Sequence, residues 1–395
     1  MPLHQIHETP APVARRFALF DLGFRPFYWL AAVFAALSIP LWALQFSGLL
    51  PHAYLAGPLW HAHEMVFGFA LAVIVGFLFT AGRNWSNQPT PTGTTLAALA
   101  LLWIAGRMLV LTPFAGAAAL VNVAFPLAAA VSLAIPFLRS GNRRNYFFIV
   151  LLGLMALASG FVHLSQMGST QFPPWAGIQV ALDVVLFILC VMGGRVIAMF
   201  TNNGIHGAAA RRHALLEKLA LGSVLALLAC DTLQLKGSTV STVAYVAFGA
   251  HLLRWLLWQP WRTRRVALVW VLHLAYLWVP LHLLLRALAA LGMVTPSMAT
   301  HALSVGAIGG LIIGMMTRTA KGHTARPLQA DRFDTTCYVL VAVAALIRVG
   351  LPLIDAAQTV NAVLVSAVFW SAGFGLFAVR YWPVLSRPRL DGRAG

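Results

Sequence analysis

The fold is indicated first by residues 58–81, which read PLWHAHEMVFGFALAVIVGFLFTA. After Glu64 the stretch is uncharged, and it is long enough for the roughly 20 residues that a helix needs to span a bilayer. Comparable runs recur along the chain, which is 60% hydrophobic and 9% charged with a mean hydropathy of +0.81. Soluble domains carry about 25% charge. The composition therefore predicts a polytopic membrane protein and excludes a soluble enzyme.

The apolar runs are continuous and rich in Ala and Leu, whereas membrane β-strands alternate polar and apolar residues. We therefore expect an all-α bundle of about twelve transmembrane helices. No long hydrophilic insertion interrupts it, so residues 1–395 are expected to form one integral membrane domain. The predicted spans lie near 27–49, 58–81, 94–111, 115–137, 146–168, 176–202, 214–233, 239–258, 266–290, 297–319, 334–354 and 357–380.

The net charge of +17 comes from 27 Lys and Arg against 10 Asp and Glu. Nearly all the basic residues outside the spans lie in the N-terminal tail, the C-terminal tail or the loops after even-numbered spans. Only Lys236 lies in an opposite loop. The positive-inside rule then places both termini, the tails 1–25 and 381–395, in the cytoplasm. Topology explains the charge, so we expect membrane lipid and no nucleic acid as a partner.

Three spans end alike, at Thr80, Thr201 and Thr317, each after a Gly-, Phe-, Ile- or Met-rich turn. This spacing indicates three repeats of four helices. Chance similarity among helices rich in Ala, Leu and Gly is the alternative.

Ionisable groups within a membrane are costly and usually functional, and the chain has 13 histidines. The predicted topology brings several to one depth in the outer half of the membrane, close to Asp183, with His273 deeper. Imidazole ligates copper and haem iron, although His can also hydrogen-bond between helices. The spacing does not separate haem from copper. The outer cluster comprises His61, His63, His163, His282 and His301.

His61 and His63 are two residues apart, so an ideal helix would point them about 200° apart. They are expected to hold different ligands, unless the helix start is unwound. Arg195 lies deep in its span, and Arg can hold a haem propionate bidentately. We expect Arg195 to pair with a propionate or a bound anion. Arg107 and Arg348 are expected to pair with each other or with Asp355.

These residues fall within motifs that resemble the NnrS family. The blocks occur in order over most of the chain, and together they are specific. They are Leu19–Phe27 (LFDLGFRPF), Trp60–Met65 (WHAHEM) with Gly68-Phe69 and Gly76-Phe77, Met192–Arg195 (MGGR) with Thr201–Asn203 (TNN), Leu272-His273 with Tyr276 and Trp278, and the long run His301–Pro327.

The resemblance implies a bacterial membrane protein of twelve helices that contains haem and copper and acts in nitric oxide metabolism during denitrification or in resistance to nitrosative stress. The chain has no CxxCH motif, so b-type haem, held non-covalently, is expected. The metal ligands are predicted to be His61, His63, His163 and His301, with His273 and Arg195 as further cofactor contacts. His323 also matches a family motif, whereas His282 lies outside the matched blocks.

Two classes of function remain open at this point. One is binding or redox conversion of nitric oxide at the histidine-ligated metal centre, with no electron donor identified. The other is a secondary transporter, or a protein that handles haem or copper as cargo, using buried His, Asp and Glu. Proton-coupled carriers depend on membrane carboxylates. Few of those exist here, Glu64, Asp183 and Asp231 being the main ones, and this scarcity favours the metal centre.

Overall fold

The computed structural model describes residues 16–49, 54–55 and 57–393. All regular secondary structure within these ranges is helical, so the predicted all-α membrane bundle is confirmed. The described helices are α1 Phe24–Phe46, α2 Gly57–Ser86, α3 Gly93–Leu109, α4 Ala115–Arg139, α5 Phe147–Gln166, α6 Pro174–Gly204, α7 Ala214–Thr232, α8 Ser238–Leu257, α9 Ala267–Ala290, α10 Pro296–His323, α11 Arg332–Ile354 and α12 Thr359–Ser386.

Each predicted span coincides with one helix. The largest difference is at the end of α12, which continues to Ser386 instead of stopping at residue 380. The predicted C-terminal tail 381–395 therefore begins within a helix. At the start of α11, Asp331 and Asp334 form a reciprocal capping box, which satisfies two backbone donors and fixes that boundary.

Ten helices within the described ranges are long and apolar enough to cross a membrane. The other two helices, α3 and α7, are too short or too charged to be counted with them. α3 has only 17 residues, and α7 carries Glu217, Lys218 and Asp231. Two of these charges are neutralised inside the bundle, since Glu217 accepts hydrogen bonds of 2.8 and 2.7 Å from Arg254 and Asp231 pairs with Arg286.

Helix packing closes the bundle into a ring. α4 packs along α5, α8 along α9, and the last helix, α12, along the first helix, α1. The chain ends reinforce this last contact, because the Ala18 amide donates to the Ser386 carbonyl at 2.8 Å. Arg25 donates to the carbonyls of Leu385 and Arg387 at 2.9 and 2.7 Å. The start of α1 and the end of α12 are therefore joined on one face of the bundle.

The central helices α2, α6 and α10 are the most buried of the candidate spans. Two of them contain a wide π-helical stretch, at Glu64–Ala70 in α2 and at Ala302–Gly309 in α10. Glycines allow close approach around the second stretch. A Cβ at Gly306 would lie 2.3 Å from the Trp278 ring, and one at Gly309 would lie 2.5 Å from the Trp370 ring. The ends of these helices that precede the π-helical stretches carry the histidines.

Candidate metal centre

His63 and His163 form the first of two histidine pairs. Their rings, from α2 and α5, are fully buried and lie 4.9 Å apart between centroids at 75°. Nδ1 of His63 donates to the Glu64 carboxylate at 2.8 Å. A neutral imidazole carries one N–H, so this bond leaves Nε2 of His63 with its lone pair available. Nε2 of both histidines is buried without a hydrogen-bond partner among the described residues.

A buried ion pair supports this first pair of histidines. Arg107 of α3 donates to Glu64 at 2.7 Å and also bonds Asn122 of α4. The Glu64 and Arg107 side chains are 1% and 8% exposed. Metal-ligating histidines commonly donate their second N–H to a carboxylate, which fixes the ring and the tautomer. Glu64 and Arg107 therefore hold His63 in the form that a metal requires. On the other side, the Tyr54 hydroxyl lies 3.1 Å from Nδ1 of His163.

His61 and His301 form the second pair. Their rings, from α2 and α10, are parallel within 8° with centroids 6.2 Å apart. Nδ1 of His301 donates to the Ser297 carbonyl at 2.7 Å. As with His63, this leaves the Nε2 lone pair of His301 available. Trp42 of α1 stacks on the other face of His61, 4.9 Å away.

The second pair lines a cavity of about 60 Å³ between α1, α2, α6, α10, α11 and α12. The walls are apolar, with Met65, Phe69 and Trp370 among them, and the polar groups are mainly the two histidines and Arg348. NH1 of Arg348 is buried without a hydrogen-bond partner in the described part of the chain. The cavity therefore offers two imidazoles and one cation to a largely apolar ligand.

The local helix geometry explains why His61 and His63 face different partners. Both precede the π-helical stretch that begins at Glu64, and His301 likewise precedes the stretch that begins at Ala302. Such insertions are frequent at functional sites because they redirect side chains. The expected divergence of His61 and His63 is observed, since His61 faces His301 and His63 faces His163.

His282 and His273 lie apart from the two pairs. Nδ1 of His282 bonds the Ala299 carbonyl at 2.8 Å, beside an ion-pair group in which Arg286 binds both Asp183, at 2.7 Å, and Asp231. His273 lies 2.8 Å from the Thr201 hydroxyl. The outer cluster expected from the sequence is thus divided between separate contacts.

Arg195 contacts other groups than the histidines. It donates to Asn145 at 2.8 Å and lies over the rings of Trp85, Phe147 and Phe148. Leu182, thirteen residues earlier in α6, lines the His61 cavity, which places Arg195 roughly 20 Å further along the helix. The contact of Arg195 with a propionate or an anion therefore stays a prediction, and it concerns a place separate from the histidine pairs.

Sequence reasoning missed several members of the site. Arg107 was expected to pair with Arg348 or Asp355, and this is wrong because Glu64 is its acidic partner. Arg348 contacts Ser297 at 3.4 Å instead. Trp42, which stacks on His61, was not predicted as a member of the site. Within the described ranges, no three His, Cys, Asp or Glu side chains converge closely enough to hold a metal ion.

The fold and the site define a multi-pass helical membrane protein with paired histidines buried at one end of its central helices. The family model described as NnrS protein matches residues 18–389. The chain therefore belongs to the NnrS family, in agreement with a nitric-oxide-related role. A comparison with curated proteins gives no match.

Proposed function

We propose that this protein binds b-type haem and copper at its two histidine pairs and acts on nitric oxide, by binding it or by redox conversion. The observation that carries the proposal is the state of the imidazoles. His63 and His301 each commit Nδ1 to an oxygen acceptor, which leaves Nε2 as a free lone pair. Pairs of neutral imidazoles in an apolar interior suit copper and haem iron.

The second pair, His61 and His301, suits haem. It borders the apolar cavity, whose free volume of about 60 Å³ has to widen between the helices to admit a porphyrin, and Arg348 in the cavity wall offers a guanidinium to a propionate. The first pair, His63 and His163, has its rings 4.9 Å apart beside the Glu64 carboxylate, which suits a single copper ion. Two histidines are enough for the haem site, because haem iron takes its other four ligands from the porphyrin.

The chain's own residues prepare both places. Glu64 fixes the tautomer of His63, Arg107 donates to Glu64 and holds it in place, and Trp42 packs against His61 to set its orientation. The apolar walls around His61 exclude water and so favour an uncharged ligand. A haem iron or copper ion held there supplies the metal that binds nitric oxide.

We place these sites in the periplasmic half of a bacterial inner membrane, with all twelve helices spanning and both termini cytoplasmic. The argument is the charge distribution together with helix direction. His61 and His301 lie near the N-terminal ends of α2 and α10, and His163 lies near the C-terminal end of α5. All three therefore lie at the end of the bundle opposite to the joined start of α1 and end of α12.

We also propose that α1–α4, α5–α8 and α9–α12 are three repeats. The fourth helix of each set packs along the first helix of the next set. The hydroxyls of Thr80, Thr201 and Thr317 bond the carbonyl four residues earlier at 2.8, 2.8 and 2.9 Å. Matching bonds at the matching ends of α2, α6 and α10 favour common descent of the three sets.

Transport is the less favoured reading. Proton relays use membrane carboxylates that load and release protons. Here Glu64, Asp183 and Asp231 each bind an arginine within the bundle. These carboxylates are committed to ion pairs, and the histidines remain as the groups with unpaired ring nitrogens.

The test is an absorption spectrum and a metal analysis of the purified protein and of four alanine variants. We expect a Soret band from haem that acidified acetone extracts, together with bound copper. His61→Ala and His301→Ala should remove or shift the Soret band and retain copper, whereas His63→Ala and His163→Ala should lose copper and retain haem.

His206→Ala and His213→Ala, at exposed positions, are the matched controls and should change neither content. A folded protein without a Soret band would refute haem binding. If all four site variants kept their haem and copper, the histidine pairs would be structural.

A further inference from the structure

A second cavity lies next to the His61 cavity, along the same three central helices. Its free volume is about 80 Å³, it opens on one side, and Tyr28 carries the only polar side-chain group among the residues that line it within the described chain. It is bounded mainly by aliphatic side chains from α2, α6 and α10, which include Val73, Ile74, Ile188, Leu189, Leu311 and Ile312.

The two cavities are separated by about one helical turn. Phe69 of α2 lines the first and Val73 the second, and on α10 Ile308 lines the first and Leu311 the second. Three or four residues correspond to roughly 5–6 Å along a helix. A small molecule in the second cavity is therefore one turn away from the histidine-lined cavity.

The chemistry of the walls selects the ligand. A buried water needs two to four polar partners, and apolar cavities stay dry and bind xenon or benzene instead. The second cavity offers water almost no partner, so it favours an uncharged, apolar molecule. Charged and strongly hydrated species such as nitrite are disfavoured, because their desolvation has no compensation there.

The position of the cavity favours a small molecule over a lipid chain. Tyr28 and Leu272 in its wall are fully buried, and α2, α6 and α10 are the most buried candidate spans. The partly buried side chains in its wall mark the side on which the cavity opens, and they are Phe77, Leu189, Met192, Val196 and Met315. Methionine is flexible and unbranched, which lets a diatomic molecule pass between them.

We propose that the second cavity is a binding site for a small apolar gas, which concentrates nitric oxide within the bundle and delivers it to the His61 cavity. The identity of the gas rests on the proposed function. The affinity of the cavity for an apolar gas does not, since it depends only on the walls.

Xenon tests the cavity without any metal. Crystals of the metal-free protein under xenon pressure should show anomalous density between Val73, Ile188 and Ile312. Val73→Phe fills the space, so it should lose the xenon site while its melting temperature stays equal or rises. Ile312→Phe fills the space from another helix and covers the case in which the first variant fails to fold. Val131→Phe, at a position that is 63% exposed on α4, is the matched control and should keep the site.

Absence of xenon density in the unmodified protein would overturn the proposal, as would a detergent or lipid chain in the cavity. Retention of xenon by a folded filling variant would overturn it as well. The delivery role is tested by stopped-flow nitric oxide binding to the haem-loaded protein. Val73→Phe should slow association several-fold and leave the Soret band unchanged, and equal rates would refute delivery. If the protein bound no haem, the proposed function would fail while the xenon result could still stand.

Discussion

Replacement of Arg107 by methionine should strongly destabilise the protein. Arg107→Met keeps an apolar side chain against Trp103 and Gly68 but removes the bonds to Glu64 and Asn122. The Glu64 carboxylate is then left 1% exposed without its cation. Its second oxygen, Oε2, already has no hydrogen-bond partner within the described ranges.

The magnitude follows from the burial of the pair. Removal of one partner of a buried ion pair costs about 3–5 kcal/mol, whereas replacement of both partners by apolar residues of similar volume is often neutral. We therefore expect Arg107→Met and Glu64→Met each to be strongly destabilised. The double variant should recover most of the loss, with a coupling energy of several kcal/mol, larger than the 0.5–3 kcal/mol usual for neighbouring residues.

The assay exploits three buried free thiols, Cys190, Cys230 and Cys337. A thiol-reactive fluorophore labels them only on unfolding, so melting in detergent is followed in the four proteins of the cycle. Denaturant titration then gives the free-energy differences. If the double variant were as unstable as Arg107→Met alone, the pair would not be coupled and this account of the site would be wrong.

Three further predictions follow from the same contacts. The Glu64→Met/Arg107→Met protein removes the acceptor of His63, so its copper affinity should fall about 10–100-fold in a chelator competition, and equal affinity would exclude an orienting role for Glu64. Gly306→Ala drives a methyl into Trp278 and should cost about 1–3 kcal/mol, whereas at Gly153 a Cβ meets no described atom within 4 Å and Gly153→Ala should be tolerated. Because the C-terminus is expected in the cytoplasm, a C-terminal fluorescent-protein fusion should be fluorescent and a C-terminal alkaline phosphatase fusion should be inactive. The opposite pattern would reverse the topology.

The helices were predictable because the length and continuity of an apolar run are set by the bilayer. The shared membrane depth of His61, His163 and His301 followed from the predicted direction of each span alone. The rotation of each helix about its own axis could not be predicted in this way, because hydropathy hardly varies around helices that face both lipid and protein. The pairing of Arg107 with Glu64 depends on that rotation, and sequence reasoning therefore assigned it the wrong partner.

The π-helical stretches were also beyond reach of the sequence. A change of hydrogen-bond register at Glu64–Ala70 leaves composition and length unaltered, although it begins directly after the histidines. The division of the outer cluster into two pairs could be anticipated only in part, from the spacing of His61 and His63. His282 illustrates what depth alone cannot predict. Its predicted depth matched that of the other histidines, but it lies to one side of them, beside Arg286.

The contact between α1 and α12 has a consequence for biosynthesis. Arg25 and its acceptor on Leu385 are 360 residues apart, and ribosomes add about 5–20 residues per second. The first helix therefore waits roughly 20–70 s in the bilayer before its partner is made. During this interval its buried face is open to lipid, to insertion chaperones and to membrane proteases. A nascent chain that stalls late would expose the face of α1 that α12 covers in the finished protein. This exposed face would mark the chain as incomplete for membrane proteases.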